Sequence, residues 1–162
     1  MTKINFLNKM NKKDQLELVE PSEEMKESYI IKSGSNLASS KILLNNDKLE
    51  ESVGLAYYSM YHLVTALLFK TGIKSENHSA SIIILKEVFG QDNKDIFEAK
   101  TERVDKQYYV DFVITKDDVM DAIKKAEVFN SKMIDFISKV NNEDIKRYRQ
   151  KFVEVVDPKK NL

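Results

Sequence analysis

Apolar residues recur at three- and four-residue steps through most of the chain, and the longest such run carries almost no charge. Between Ser52 and Lys70 it reads SVGLAYYSMYHLVTALLFK. Val53, Ala56, Tyr57, Met60, Leu63, Val64, Leu67 and Leu68 trace one helical face. Leu55, Tyr58, Tyr61, Ala66 and Phe69 leave the other side hardly more polar. A helix apolar nearly all round must be covered on most sides, which predicts the central helix of an all-α domain. It is long enough to cross a bilayer, but Tyr57, Tyr58, Ser59, Tyr61, His62 and Thr65 make it too polar for a lipid span, and no membrane is expected. Asp47 and Glu50 have the spacing of a capping box at its start. Thr71-Gly72 supplies a left-handed exit, with Lys70 favouring the negative end of the dipole.

The flanking segments read as further helices. Residues 1–20 are polar and mixed, and Phe6, Leu7, Met10, Leu16, Leu18 and Val19 suggest an arm or short helix. Pro21 and Ser22 mark a helix start, followed by Glu23 and Glu24 where the dipole favours negative charge. That helix carries Met25, Tyr29, Leu37, Ile42 and Leu43 as its expected buried stripe, with a bend at Ser33-Gly34-Ser35. Asn45-Asn46-Asp47 is a turn, and residues 73–78 form a loop. Ser79 to Phe89 makes a third helix, stopped by Gly90. Its Ile82-Ile83-Ile84-Leu85 run also fits a buried strand, but no partner strand is visible elsewhere. A more polar helix covers Asn93 to Tyr108, with Ile96, Phe97, Ala99 and Val104 inward, and Tyr109–Ile114 reads as an extended connection.

Thr115 and Asp118 form a second capping pair. The helix they open keeps a strict alternation of three- and four-residue steps through Val119, Ala122, Ala126, Phe129, Met133, Phe136 and Val140. Asn141-Asn142 breaks it, and Glu143–Val156 reads as a last short helix before Pro158. The expected organisation is an arm over 1–20, an up-and-down bundle of four to five helices over 21–141, and a C-terminal helix or tail over 142–162. No internal repeat is visible.

Composition narrows the function classes. The chain has 162 residues, with 26 basic and 26 acidic side chains. That is one domain, and its zero net charge argues against a globally basic nucleic-acid binder while leaving room for a local basic site. The absence of cysteine excludes disulfides, thiolate metal ligands and a cysteine nucleophile. The start, MTKINFLNKMNKKDQ, lacks the apolar run of a signal peptide, so the expected compartment is the cytoplasm.

Few motifs carry chemistry. There is no phosphate-binding glycine loop, no dinucleotide fingerprint and no paired metal-ligand histidine spacing, so neither a cofactor nor a metal is expected. His62 and His78 are the two histidines. Alone, His62 reads as a core-edge histidine and His78 as a helix-entry anchor. Tyr57, Tyr58 and Tyr61 fit a base-stacking platform, but on so apolar a helix they fit core aromatics better. Arg103 and Lys106 lie one turn apart, with Tyr108 and Tyr109 at the helix end. Charge alone makes that stretch a solvated, salt-bridged face.

The run AYYSMYHLVTALLFKTGIKSENHSA, Ala56 to Ala80, resembles the HEPN superfamily of small prokaryotic α-helical proteins. Tyr57-Tyr58, Tyr61-His62, Leu67-Leu68, Gly72, Lys74 and His78-Ser79 carry the likeness, and Arg103, Gln107, Tyr108 and Ala126–Phe129 extend it. The resemblance implies a helical bundle, commonly a homodimer. It also implies links to toxins, RNA-targeting domains or a nucleotidyltransferase partner, which in some pairs modifies a tyrosine near the motif histidine. Relatives with metal-independent ribonuclease activity pair an Arg with a His a few residues on. Here Arg103 is followed by Tyr108, Tyr109 and Val110, and no His lies within reach. A tyrosine with a pKa of about 10 is a poor general base at neutral pH.

Three readings result. The first is an RNA- or nucleotide-binding protein with a nucleotidyltransferase-type or toxin–antitoxin partner. Arg103 and Lys106 would meet phosphate, Tyr108 or Tyr109 would stack or accept a nucleotidyl group, and His62 and His78 would sit close by. The second is a metal-independent endoribonuclease toxin using Arg103 with Tyr108 or a distant histidine. The third is a helical dimerisation or scaffold module.

Overall fold

A computed structural model describes residues 2–13, 15–103 and 113–157 in full and residues 104–108 by their backbone. The expected Tyr109–Ile114 connection lies largely outside the described residues, as do Tyr109 itself and the side chains of Val104, Lys106 and Tyr108. The domain is all-α apart from one two-stranded ribbon.

The chain begins with α1 (Lys3–Asn11), capped by Thr2, whose Leu7 is fully buried. The N-terminal segment is therefore a packed helix rather than a loose arm. It leads into β1 (Leu16–Leu18) and then α2 (Glu23–Asn45), which Ser22 caps by accepting from the Met25 N–H. The central helix α3 (Leu49–Thr71) ends at Gly72 in the left-handed region, as its sequence predicts. It starts differently. Lys48 is the N-cap without a side-chain cap, and Asp47 holds a positive φ of 59° and pairs with Lys116 instead of capping with Glu50. The expected loop over 73–78 contains β2 (Ile73–Ser75), antiparallel to β1 with Leu16 opposite Ser75 and Leu18 opposite Ile73.

After the ribbon, α4 (His78–Glu87) takes the isoleucine run as helix, and Asn77, not His78, caps it. Gly90 follows at φ 69°. Next comes α5 (Lys94–Tyr108), whose Ile96 is buried while Phe97 points outward, 59% exposed, against expectation. The capping box of α6 (Lys116–Lys139) closes with both Thr115 and Asp118 bonds made. Val119, Ala126, Phe129 and Met133 are buried along it. Asn141 and Asp144 form a further capping box for α7 (Asn142–Val156), which packs against α1.

Helix α3 is the centre, in contact with α2, α4, α5, α6, α7 and β2. Its expected partner stripe on α2 is used only in part, with Tyr29 and Leu37 packed against the core. Met25 and Ile42 are exposed, and the buried positions are Ser33 and Ser40. Their hydroxyls donate to the backbone carbonyls of Ser59 (2.6 Å) and Ser52 (2.7 Å), and Ser52 donates back to the Ser40 carbonyl (2.7 Å). Small side chains let the two backbones approach, and each hydroxyl finds an acceptor there.

At the far end of α3, Arg149 of α7 donates from Nη1 to the carbonyls of Val19 (2.7 Å), Thr71 (3.1 Å) and Gly72 (2.7 Å). A Cβ on residue 72 would collide with that guanidinium and with the Val19 carbonyl. Lys70, also buried, donates to the Ile137 carbonyl in the last turn of α6 (2.7 Å).

Two glycine substitutions test this account. Gly72→Ala is expected to lower the thermal midpoint, costing roughly 2 kcal/mol or more from its positive φ and the collision combined. Gly34→Ala, in open space on α2, is expected to raise stability by about 0.5–1 kcal/mol. An unchanged melt for Gly72→Ala would show that the junction yields at no cost.

Candidate functional site

The middle of α3 carries an aromatic layer that the helix alone cannot complete. Tyr57, Tyr61 and His62 are buried, and Tyr58 is half-buried. The start of α4 brings His78 onto this layer. Its ring stacks on Tyr61 at 3.8 Å between centroids and 18° between planes. Its Nδ1 lies 2.8 Å from the Tyr57 hydroxyl. On the α2 side, the Asn36 amide donates to Nδ1 of His62 (3.1 Å), and Tyr29 packs against the same imidazole.

Helix α5 closes the layer from above. The Arg103 guanidinium stands 4.6 Å from the Tyr58 ring centroid and 5.4 Å from that of Tyr57. Arg103 therefore packs inward from α5. It is half-buried and rests on two aromatic rings. Tyr58 has the guanidinium near its ring and packs against the imidazoles of His62 (5.9 Å) and His78 (6.2 Å). Such a contact with Arg contributes about 0.5–1 kcal/mol where solvent reaches it.

Burial sets the ionisation of this layer. The Tyr57 phenol is pushed well above its usual range by desolvation first, then by Tyr61. Desolvation also raises the Tyr61 phenol. Both keep their protons at neutral pH, and Tyr57 can donate its own to Nδ1 of His78. His62 is pushed down to about 4, by burial first and then by Lys32 and His78. His78 is lowered by burial, then by Arg103 and Lys100. Lys32, Arg103 and Lys100 therefore lie near imidazoles that burial keeps neutral.

An open groove of about 420 Å³ lies beside this layer, lined by Glu50, Glu51, Val53, Gly54, Leu55, Tyr58 and Arg103. Of the residues expected at the site, the structure brings together Arg103, His62 and His78. Lys106, Tyr108 and Tyr109 lie outside the described side chains. The Arg103–Tyr58 pair, Asn36 and the groove were not anticipated from sequence. Glu50, Gly54 and Tyr58 at successive four-residue steps were the available signal for the groove. Among the described residues no group of three or more His, Asp or Glu is arranged to hold a metal ion. Among the described residues one helix, α3, is long and apolar enough to cross a membrane, and most of it is buried within the domain.

Comparison with known proteins agrees with the architecture. The HEPN domain model matches residues 9–137. The chain is 30% identical over 118 residues to a UPF0332 protein of Thermotoga maritima, covering 68% of this chain and 86% of that protein. It is 43% identical over 56 residues to a UPF0332 protein of Pyrococcus horikoshii, covering 35% of this chain and only 39% of that protein's length.

The depressed His62 pKa yields a pH prediction. Between 6.5 and about 4 the unfolded state takes up a proton at this ring that the folded state refuses. The contribution is complete above about pH 6.5 and falls as pH drops, by at most about 1.4 kcal/mol per pH unit. Denaturant unfolding across this range is expected to give a shallower slope for His62→Gln than for wild type. Equal slopes would mean that the ring titrates normally.

Proposed function

We propose a function from one premise: the chain belongs to the HEPN domain family. It binds RNA or a nucleotide through Arg103, acts as a homodimer, and works with a nucleotidyltransferase-type partner in a toxin–antitoxin setting. The observation that carries the ligand reading is the Arg103 guanidinium held on Tyr58 at the mouth of the groove. A guanidinium presents a planar fork of donors that matches phosphate oxygens, and its seat on the ring limits the side-chain entropy lost on binding. The nearby Lys100 adds to the positive field at that point. The homodimer and the partner rest on family likeness alone.

His78 supports a second reading, a metal-independent endoribonuclease. The motif histidine missing after Arg103 has a spatial counterpart in His78, a neutral imidazole packed beside the Arg103-bearing rings. In the tautomer whose Nδ1–H donates to the Tyr57 oxygen, Nε2 of His78 is free to take the proton of a ribose 2′-hydroxyl as that oxygen attacks the adjacent phosphorus and the 5′-oxygen leaves with a proton from water. Arg103 would stabilise the charge gathered on the phosphoryl oxygens.

Binding of a fluorescent single-stranded RNA tests the first reading. Arg103→Ala is expected to weaken it about tenfold or more, since a charge-assisted hydrogen bond contributes about 1.5–3 kcal/mol. The melt should move by only about 1 kcal/mol, the value of the ring contact. Equal affinity in both proteins would remove Arg103 from the site. Metal-free cleavage lost in both Arg103→Ala and His78→Asn would promote the second reading.

A further inference from the structure

The groove beside Arg103 has a floor that the fold does not require. Gly54 lies inside α3, where glycine is the least favourable residue except proline. Its backbone is not in the left-handed region, and an added Cβ would meet nothing within 4 Å. Packing therefore does not demand glycine there. Gly34 on α2 is equally unopposed, but it is exposed and lines no such groove. Gly54 differs because the space above it is the groove itself.

The ends of the groove have opposite charge. Glu50 and Glu51 stand in the first turn of α3, and Arg103 stands on α5. Glu50, Gly54 and Tyr58 follow one another at four-residue steps, so the carboxylate end and the Tyr58–Arg103 end lie about two helical turns apart, roughly 11 Å. That span suits the distance from a nucleobase edge to its 5′-phosphate. Leu55 and Gly54 line the groove between them, and the open space at the Gly54 Cβ position leaves room for a ring.

We infer that this groove is a base subsite floored by Gly54, taking a nucleotide whose base presents N–H donors to Glu50 and Glu51, guanine foremost, with its phosphate on Arg103. The inference rests on the nucleotide-binding reading above and deepens it by naming the base. Guanine offers two adjacent N–H groups on one edge, which match the two oxygens of a carboxylate as the Arg fork does. Adenine offers one amine beside a ring nitrogen lone pair, which a carboxylate repels. Uracil carries no amine.

Calorimetric titration of the full chain with GMP and AMP tests this. Wild type is expected to bind GMP at least about fivefold tighter than AMP. Gly54→Leu, which fills the groove, is expected to lose GMP binding by about tenfold or more while melting at an unchanged or higher temperature. The double substitution Glu50→Gln with Glu51→Gln should bring GMP down to the affinity of AMP, and it carries the test should Gly54→Leu melt lower. GMP binding untouched by Gly54→Leu but lost in Arg103→Ala would overturn the subsite and leave the Arg103 reading standing. Equal affinity for GMP and AMP would overturn the role of the carboxylates, and RNA binding without either mononucleotide would overturn the subsite. Wild-type protein that binds neither mononucleotide nor RNA would overturn both readings.

Discussion

A helix with almost no solvent face dictates this structure. α3 is buried along most of its length, so every other helix with a large apolar surface has to be arranged around it. Burying it removes from water not only aliphatic groups but also three serines and threonines, two tyrosines and a histidine. Such groups are costly to bury unless bonded. The fold meets that demand locally, with Ser59 and Thr71 donating to carbonyls of their own helix. It meets it across the interface through Ser33, Ser40 and Asn130.

The same demand creates the site. Tyr57 and His62 take hydrogen-bond partners from neighbouring helices, whereas Tyr61 is shared between Thr65 of its own helix and Ser81 of α4. Asn36 from α2 and His78 and Ser81 from α4 supply the missing partners. Arg103 from α5 then covers the rings that remain open. The layer thus begins as a solution to a burial problem. Desolvation there disfavours the charged form of both imidazoles beside the Arg103 cation.

Two junctions keep this layer in register. Arg149 gathers three carbonyls at the point where α3 exits, β1 ends and β2 begins. Lys70 ties the last turn of α3 to the end of α6. Because β2 leads directly into α4, the Gly72 exit also determines where His78 enters the layer. A cation that donates to carbonyls at a helix end offsets both the unpaired acceptors and the negative dipole.

The amino-acid sequence by itself determined the helices and several of their ends. The Ser22 cap, the Thr115–Asp118 box, the Gly72 exit and the alternating steps of α6 were all legible, because they depend on residues three or four positions apart. The HEPN likeness was legible for the same reason, since its motif lies in one stretch. Tertiary structure alone decided the rest. The β1–β2 ribbon was not legible because Glu17 meets Lys74 across it, far along the chain. The α2 stripe was misread at Met25 and Ile42, because close approach rewarded Ser33 and Ser40 there. Phe97 and Asp47 were misassigned because only the position of neighbouring helices decides which face is covered. Arg103 read as a surface charge because local pattern gives charge and period, whereas the ring on which a guanidinium rests is set by how two distant helices cross.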